Sequence, residues 1–218
     1  EKKMNKGYFI SFEGGEACGK STQIKKLKEY ISTLSQKDKF IFVREPGGTP
    51  LTEELRRLIL NYEIDKPLPM TELLLFCAAR VEDVEKCIKP ALSQGKIVIA
   101  DRFYDSTIAY QGMARKVMSS EDILDLTKKI IGDVKPDLTF YLQISPEEAF
   151  KRKSKMSEGL DRIEQEGIEF HKAVAKGYDY ISSIEKERFY VLDANKSPEE
   201  IFDEIVTVLR TKIGSYLK

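Results

Sequence analysis

Gly14-Gly15-Glu16-Ala17-Cys18-Gly19-Lys20-Ser21 is the stretch that decides the fold. It satisfies G-x-x-x-x-G-K-[ST] and lies between a short apolar run, residues 8–12, and an amphipathic stretch, residues 22–34. Glycines there let successive backbone N–H groups turn inward around phosphate oxygens. The N-terminus of the following helix adds about half a positive charge. In such a loop Lys20 reaches the β and γ phosphates and the Ser21 hydroxyl ligates Mg²⁺, so we expect a nucleoside triphosphate on Gly14, Gly15, Glu16, Ala17, Cys18, Gly19, Lys20, Ser21 and Thr22.

Working outward, four more short runs rich in β-branched and aromatic residues occupy 40–43, 97–100, 138–144 and 189–192. Helical patterns separate the runs, at 52–60, 72–92, 120–131, 146–155, 169–184 and 197–209. Strands alternating with helices predict an α/β fold in three layers: a five-stranded parallel sheet, right-handed crossovers and helices on both faces. Ser-Pro-Glu-Glu occurs at 145–148 and again at 197–200, with Ser as N-cap, Pro at the first helical position and Glu three residues after the cap. No repeat or composition shift divides the chain, and 1–218 reads as one domain, with Glu1 to Lys6 left outside the fold. Residues 45–50, Glu-Pro-Gly-Gly-Thr-Pro, follow a strand where open α/β sheets place ligand loops. A basic helix end at 151–155 runs into a Gly-containing loop, 156–159. It is either a solvated face or a lid, about 151–160.

The 218 residues carry 36 Lys+Arg and 36 Asp+Glu, a net charge of zero, which excludes a basic nucleic-acid coat. With 41% hydrophobic and 33% charged residues the chain is far from the disordered corner of composition. Cys18, Cys77 and Cys87 are an odd set without C-x-x-C spacing, so no disulfide framework or zinc knuckle is legible and a reducing compartment fits. No apolar run approaches 18 residues. We therefore expect a cytoplasmic protein with neither membrane nor nucleic acid as partner.

Asp101 ends a buried strand where it would face the same crevice as the loop, although a strand-end Asp also serves as a helix cap or an arginine partner. A guanine-reading N-K-x-D is missing, since Asn195-Lys196-Ser197-Pro198 lacks the Asp, and so is a transporter-type Ser-Gly-Gly-Gln. A kinase instead needs an acceptor pocket with arginines for a phosphate and something flat for a base. Arg44, Arg80 and Arg102 are candidates, and Phe76, four residues before Arg80, shares its helix face. Spacing alone favours ordinary core packing for Phe76. His171 falls on an expected surface helix and is not read as catalytic.

Phe12-Glu13-Gly14-Gly15-Glu16, Arg44-Glu45-Pro46-Gly47-Gly48-Thr49, Leu75-Phe76-Cys77-Ala78-Ala79-Arg80, Asp101-Arg102-Phe103-Tyr104-Asp105-Ser106, Ala109-Tyr110-Gln111-Gly112 and Asp161-Arg162-Ile163-Glu164 together resemble the thymidylate kinases, in their bacterial form. The resemblance covers residues 8–209. It implies ATP and Mg²⁺ at the loop and transfer of the γ-phosphoryl group to dTMP, giving dTDP. It also implies Phe76 stacked on thymine, Arg80 on the base, Gln111 with Thr107 or Ser106 on its polar edge, and Tyr110 against the sugar. Glu16 would meet the 3′-hydroxyl, Arg44 and Arg102 would hold the acceptor phosphate, and Asp101 would order Mg²⁺ or the arginines. A homodimer is implied as well. The alternatives are a kinase for another nucleoside monophosphate, or a hydrolytic switch.

Two features depart from the family pattern. The loop has no arginine, and relatives of that kind bring one from the lid, yet the lid here reads Lys151-Arg152-Lys153-Ser154-Lys155-Met156-Ser157. Lysine lacks the bidentate fork, so the expectation divides between Arg152 swinging in and Lys153 or Lys155 acting, with Lys155 assigned to transition-state charge. Cys18 at a helix N-terminus beside Lys20 is either a thiol of depressed pKa or a small tolerated residue.

Overall fold

The computed structural model describes residues 6–61, 65–154 and 161–218. Five strands form one parallel sheet in the order β2-β3-β1-β4-β5: β1 (Tyr8–Glu13), β2 (Phe40–Arg44), β3 (Ile97–Asp101), β4 (Leu138–Gln143) and β5 (Phe189–Asp193). Each strand matches its sequence expectation to within one or two residues. Around the sheet lie α1 (Lys20–Ser32), α2 (Pro50–Leu60), α3 (Pro69–Asp83), α4 (Lys89–Ser93), α5 (Tyr104–Thr107), α6 (Ser120–Ile131), α7 (Pro146–Lys153), α8 (Ile168–Ile184) and α9 (Pro198–Ile213).

Alternate β1 side chains enter opposite cores, because strand side chains alternate faces. Ile10 and Phe12 pack with Leu27 and Leu209 beneath α1 and α9. Phe9 points the other way, onto Val84, Ile88 and Ile181, with its ring 4.9 Å from that of Phe103. The register sets Arg44 beside Asp101, and Asp101 beside Phe12, at the carboxyl edge of the sheet. The glycine loop leaves β1 at that edge, where the chain order reverses and α/β sheets bind ligands.

Helix punctuation follows the chain closely. Ser197 and Glu200 complete a reciprocal capping box, whereas Ser145 only accepts from the Glu148 amide. The expected single helix over 72–92 is interrupted. At Val84–Ile88 it widens by one residue per turn, and the Lys89 amide pairs with the Val84 carbonyl five residues back. Pro90 explains the change: it has no N–H for the Lys86 carbonyl, and its ring crowds that carbonyl.

A second wide turn, Ile108–Ala114 after α5, was not expected as helix at all. There the Arg115 amide reaches the Tyr110 carbonyl at 2.8 Å. Helix α8 packs tightly on this turn, and Gly177 is the reason it can: a Cβ there would lie 2.6 Å from the Ala109 Cα. Residues 155–160, which include Lys155 and the whole of the expected loop 156–159, lie outside the described residues.

Candidate active site

A cleft opens at the carboxyl edge of the sheet. Most of the residues singled out from sequence line it: Glu16, Lys20, Ser21, Arg44, Phe76, Arg80, Asp101, Arg102, Ser106, Thr107, Tyr110 and Gln111. The glycine loop forms one wall. Gly14 has φ 150°, and a Cβ there would meet the Leu142 carbonyl at 2.8 Å, so only glycine fits. Gly15 and Gly19 have open space where a Cβ would sit, and Gly19 turns at φ 90°.

Lys20 is buried and ion-paired with Asp101. Burial alone would raise the Asp101 pKa, but Lys20 and then Arg102 outweigh it, and the carboxyl is held below the usual carboxylate range. Arg102 sits at φ 70°, a left-handed conformation that non-glycine residues rarely adopt. Its side chain is fixed from several directions: Nη1 donates to the Gly14 carbonyl at 2.9 Å and to the Tyr178 hydroxyl at 3.0 Å, and Nη2 to Glu16 at 2.9 Å. Tyr110 donates to the same Glu16 oxygen at 2.6 Å. Burial alone would raise the Glu16 pKa, but Arg102 and that hydroxyl keep it below its ordinary value, while burial and acidic neighbours push Glu164, hydrogen-bonded to Glu16, above it.

At the far end of the cleft Arg80 is 2% exposed. Its Nε donates to Glu45 at 2.8 Å and its Nη2 to Thr107 at 2.9 Å, but Nη1 is buried without a partner. Gln111 donates its amide N–H to Glu72 at 2.8 Å. Phe76 is half-buried: it packs against the core cluster of Ile59 and Tyr110, as spacing favours, and also lines the cleft wall.

Several side chains lie elsewhere than expected. Arg152 donates to the Ala194 carbonyl at 2.9 Å, beside Glu148, and does not line the cleft. Lys153 is buried instead, in a small pocket with Gly15, Glu16, Phe150 and His171. His171 itself is 8% exposed, not a surface residue, because α7 covers that side of α8. Cys18 is buried, and burial outweighs Lys20 to push its thiol up rather than down, which removes the reactive-thiol alternative. Cys77 is buried, whereas Cys87 is only half-buried.

Arg56, Asp161 and Glu164 also line the cleft and were given no role from sequence. Arg56 and Arg57 are adjacent, yet Arg56 turns inward to the Pro46 carbonyl at 3.1 Å and Arg57 outward to Glu54 at 3.0 Å. The Asp161-Arg162-Ile163-Glu164 string was visible as a motif, but nothing local says what its side chains reach.

Buried carboxyls give the site a distinctive pH dependence. Burial, then Asp105, raises Glu13 from 4.5 to about 8. Burial raises Glu45 to about 7 despite Arg80, and burial with Glu45 raises Asp83 to about 7. A carboxyl whose folded pKa exceeds its unfolded value favours folding when protonated. That stabilisation is complete below about pH 4 and disappears as pH rises through the folded value. His171, lowered mainly by burial, opposes the trend only below about 6.5. Thermal unfolding at constant ionic strength should show Tm falling from pH 5 to 8.5, with Glu13→Gln flattening the upper half of the curve. A Tm that rises steadily over that interval contradicts these assignments.

A sequence model of the thymidylate kinase family matches residues 12–205. The chain is 44% identical to the thymidylate kinase of Mesoplasma florum over 210 residues, which is 96% of this chain and 98% of that protein. It is 40% identical to the thymidylate kinase of Lactobacillus helveticus, over 95% of this chain and 98% of that one. A crystal structure of thymidylate kinase from Ehrlichia chaffeensis superposes with a TM-score of 0.74 at 36% identity, covering 94% of this chain and 98% of that one. The chain belongs to the thymidylate kinase family and is a kinase that phosphorylates dTMP to dTDP at the expense of ATP.

Proposed function

We propose that dTMP lies along the cleft with thymine between Phe76, Arg80 and Gln111, its sugar against Tyr110 and Glu16, and its phosphate toward Arg102, Arg44 and Arg56. The unpartnered Nη1 of Arg80 carries this reading: a buried donor left alone costs about 1–3 kcal/mol, and a base carbonyl removes that cost. Thymine offers O4 to Arg80 and N3–H to the Gln111 carbonyl oxygen. Cytosine offers an amine and a bare nitrogen, so both contacts fail. ADP release with dTMP, dUMP, dCMP and AMP as acceptors tests the assignment, and equal rates on all four overturn it.

The donor phosphates rest on the glycine loop. For the β and γ oxygens Lys20 exchanges its Asp101 partner for phosphate, and Asp101 turns to the metal or to Arg102. A hydroxyl and a carboxylate, Ser21 and Asp101, line the cleft together, and oxygen donors of this kind fit Mg²⁺, which takes one or two protein ligands and completes its shell with phosphate and water. The ion, when bound, neutralises charge on the β and γ phosphates. The guanidiniums of Arg102 and Arg44 hold the acceptor phosphate in line. One of its oxygens forms the new bond to the γ phosphorus while the β–γ bridging oxygen leaves with ADP. A phosphate dianion has no proton to lose, so the chain needs no general base.

For the lid cation the support favours Lys153. Its side chain is largely buried, with no ion pair among the described residues, and it lines a pocket that shares Glu16 with the main cleft. Lys153→Met should lower kcat about 10²-fold, the scale of one lost transition-state donor, with the KM for dTMP unchanged. Arg152→Ala should stay within threefold. The reverse ranking returns the role to Arg152.

A homodimer is supported by apolar side chains exposed on and beside two neighbouring helices, Leu51 and Leu58 on α2 and Leu68, Met70 and Leu74 at α3.

A further inference from the structure

Glu72 is 1% exposed and lies one layer behind the cleft, outside its lining. Its two oxygens each accept two hydrogen bonds, from different donors. Oε2 accepts from Arg162 Nη2 at 2.5 Å and Arg115 Nη2 at 3.4 Å. Oε1 accepts from Arg115 Nε at 3.1 Å and from the Gln111 amide nitrogen at 2.8 Å. Burial would raise its pKa, but the hydrogen bonds from Arg162, Gln111 and Arg115 win, so it stays a carboxylate with only lone pairs to offer.

A glutamine side chain is nearly symmetric in shape and opposite at its two ends. Turned one way it shows a base an acceptor, turned the other a donor. With no chemistry beyond its own two ends, Gln111 could satisfy either thymine N3–H or cytosine N3. A carboxylate behind it removes the choice, because only the NH₂ end can face two lone pairs.

We propose that Glu72 is a specificity-determining positioning residue: it holds the Gln111 amide with its oxygen toward the base and so selects a pyrimidine that bears N3–H. Arg162 and Arg115 serve this selection by keeping Glu72 ionised and in place. Arg162 is itself anchored by Nε to the Ile59 carbonyl at 2.9 Å, and Arg115 by Nη1 to Glu166 at 2.6 Å. The share of cytosine discrimination that falls on Gln111 therefore resides in a residue that does not touch the substrate.

The inference rests on the reading that Gln111 contacts the base, and the test separates the two. In Glu72→Gln the new amide keeps its oxygen at the Oε2 position, where Arg162 donates at 2.5 Å and Arg115 Nη2 also converges, and presents NH₂ to Gln111 and to Arg115 Nε, which loses its acceptor there. Gln111 then turns, showing N–H to the base. The kcat/KM ratio for dTMP over dCMP should fall at least tenfold, with dCMP turnover rising in absolute terms. A purely structural role lowers both substrates in parallel and leaves the ratio within threefold, which overturns the proposal. Glu72→Asp, whose carboxylate withdraws from Gln111 but still holds an arginine, should lower the ratio in the same direction and decides the matter if Glu72→Gln does not fold. Gln111→Leu is the control. If it leaves kcat/KM for dTMP within threefold, Gln111 does not read the base and the underlying site reading fails. If it costs more while both Glu72 variants keep the wild-type ratio, only the positioning role fails.

Discussion

Replacing Lys20 with methionine is expected to lower kcat by 10³-fold or more, the largest single loss in the molecule. One pre-organised donor aimed at developing charge is worth about 10²–10³ in rate, and Lys20 has a further consequence because of what it leaves behind. In the present arrangement its ammonium is paired with Asp101. Without it, Asp101 loses its ion-pair partner in the free enzyme, and in the loaded site the β and γ phosphates lose the cation that offsets their charge. KM for dTMP should change much less than kcat, since the lysine faces the donor phosphates. Steady-state kinetics with both substrates varied check this, and retention of a tenth of the wild-type kcat contradicts the role. Lys20→Arg should not rescue, because the buried slot beside Asp101 is shaped for a compact ammonium.

Base selectivity is the second large effect. Removing the thymine methyl costs about 1–3 kcal/mol in a shaped apolar site, so dUMP should fall behind dTMP by about 10–200-fold in kcat/KM. Cytosine meets two polar mismatches in a dry corner. Its amine faces the Arg80 Nη1, which has no other partner to turn to, and its N3 lone pair faces the Gln111 oxygen. Sites built to hydrogen-bond one group reject its counterpart by about 10⁴ or more, so dCMP should trail dTMP by at least about 10³. AMP lacks the matching edge altogether. The order dTMP, dUMP, dCMP is the outcome to measure, and dCMP turning over faster than dUMP contradicts the roles given to Arg80 and Gln111.

Much of the site was legible along the chain because its signals are local. Glycine spacing, the strand before it and the helix after it specify the phosphate loop without reference to distant residues. Asp101, Arg102 and Arg44 follow strands whose ends a parallel sheet brings to one edge, so their convergence follows from topology. Phe76 and Arg80, four residues apart on α3, do share the face that borders the cleft. Local signals fail where neighbours of similar chemistry point opposite ways. Arg56 and Arg57, or Arg152 and Lys153, differ only in which side of a helix meets the core, and α2 and α7 acquire that asymmetry from what packs against them.

The sequence by itself determined the fold class, the donor loop and the order of strands and helices, since each depends on backbone preferences and periodicities within a dozen residues. Tertiary structure alone decided the electrostatics. Cys18 looks like an activated thiol beside a lysine, yet enclosure in the core raises its pKa. His171 looks like a surface residue until α7 covers it. Glu72 looks like one more helix carboxylate, and becomes the orienting partner of Gln111 only because Arg115 and Arg162, 43 and 90 residues away along the chain, converge on it. Charge and burial act through space at low dielectric, and the linear order of residues does not encode those distances.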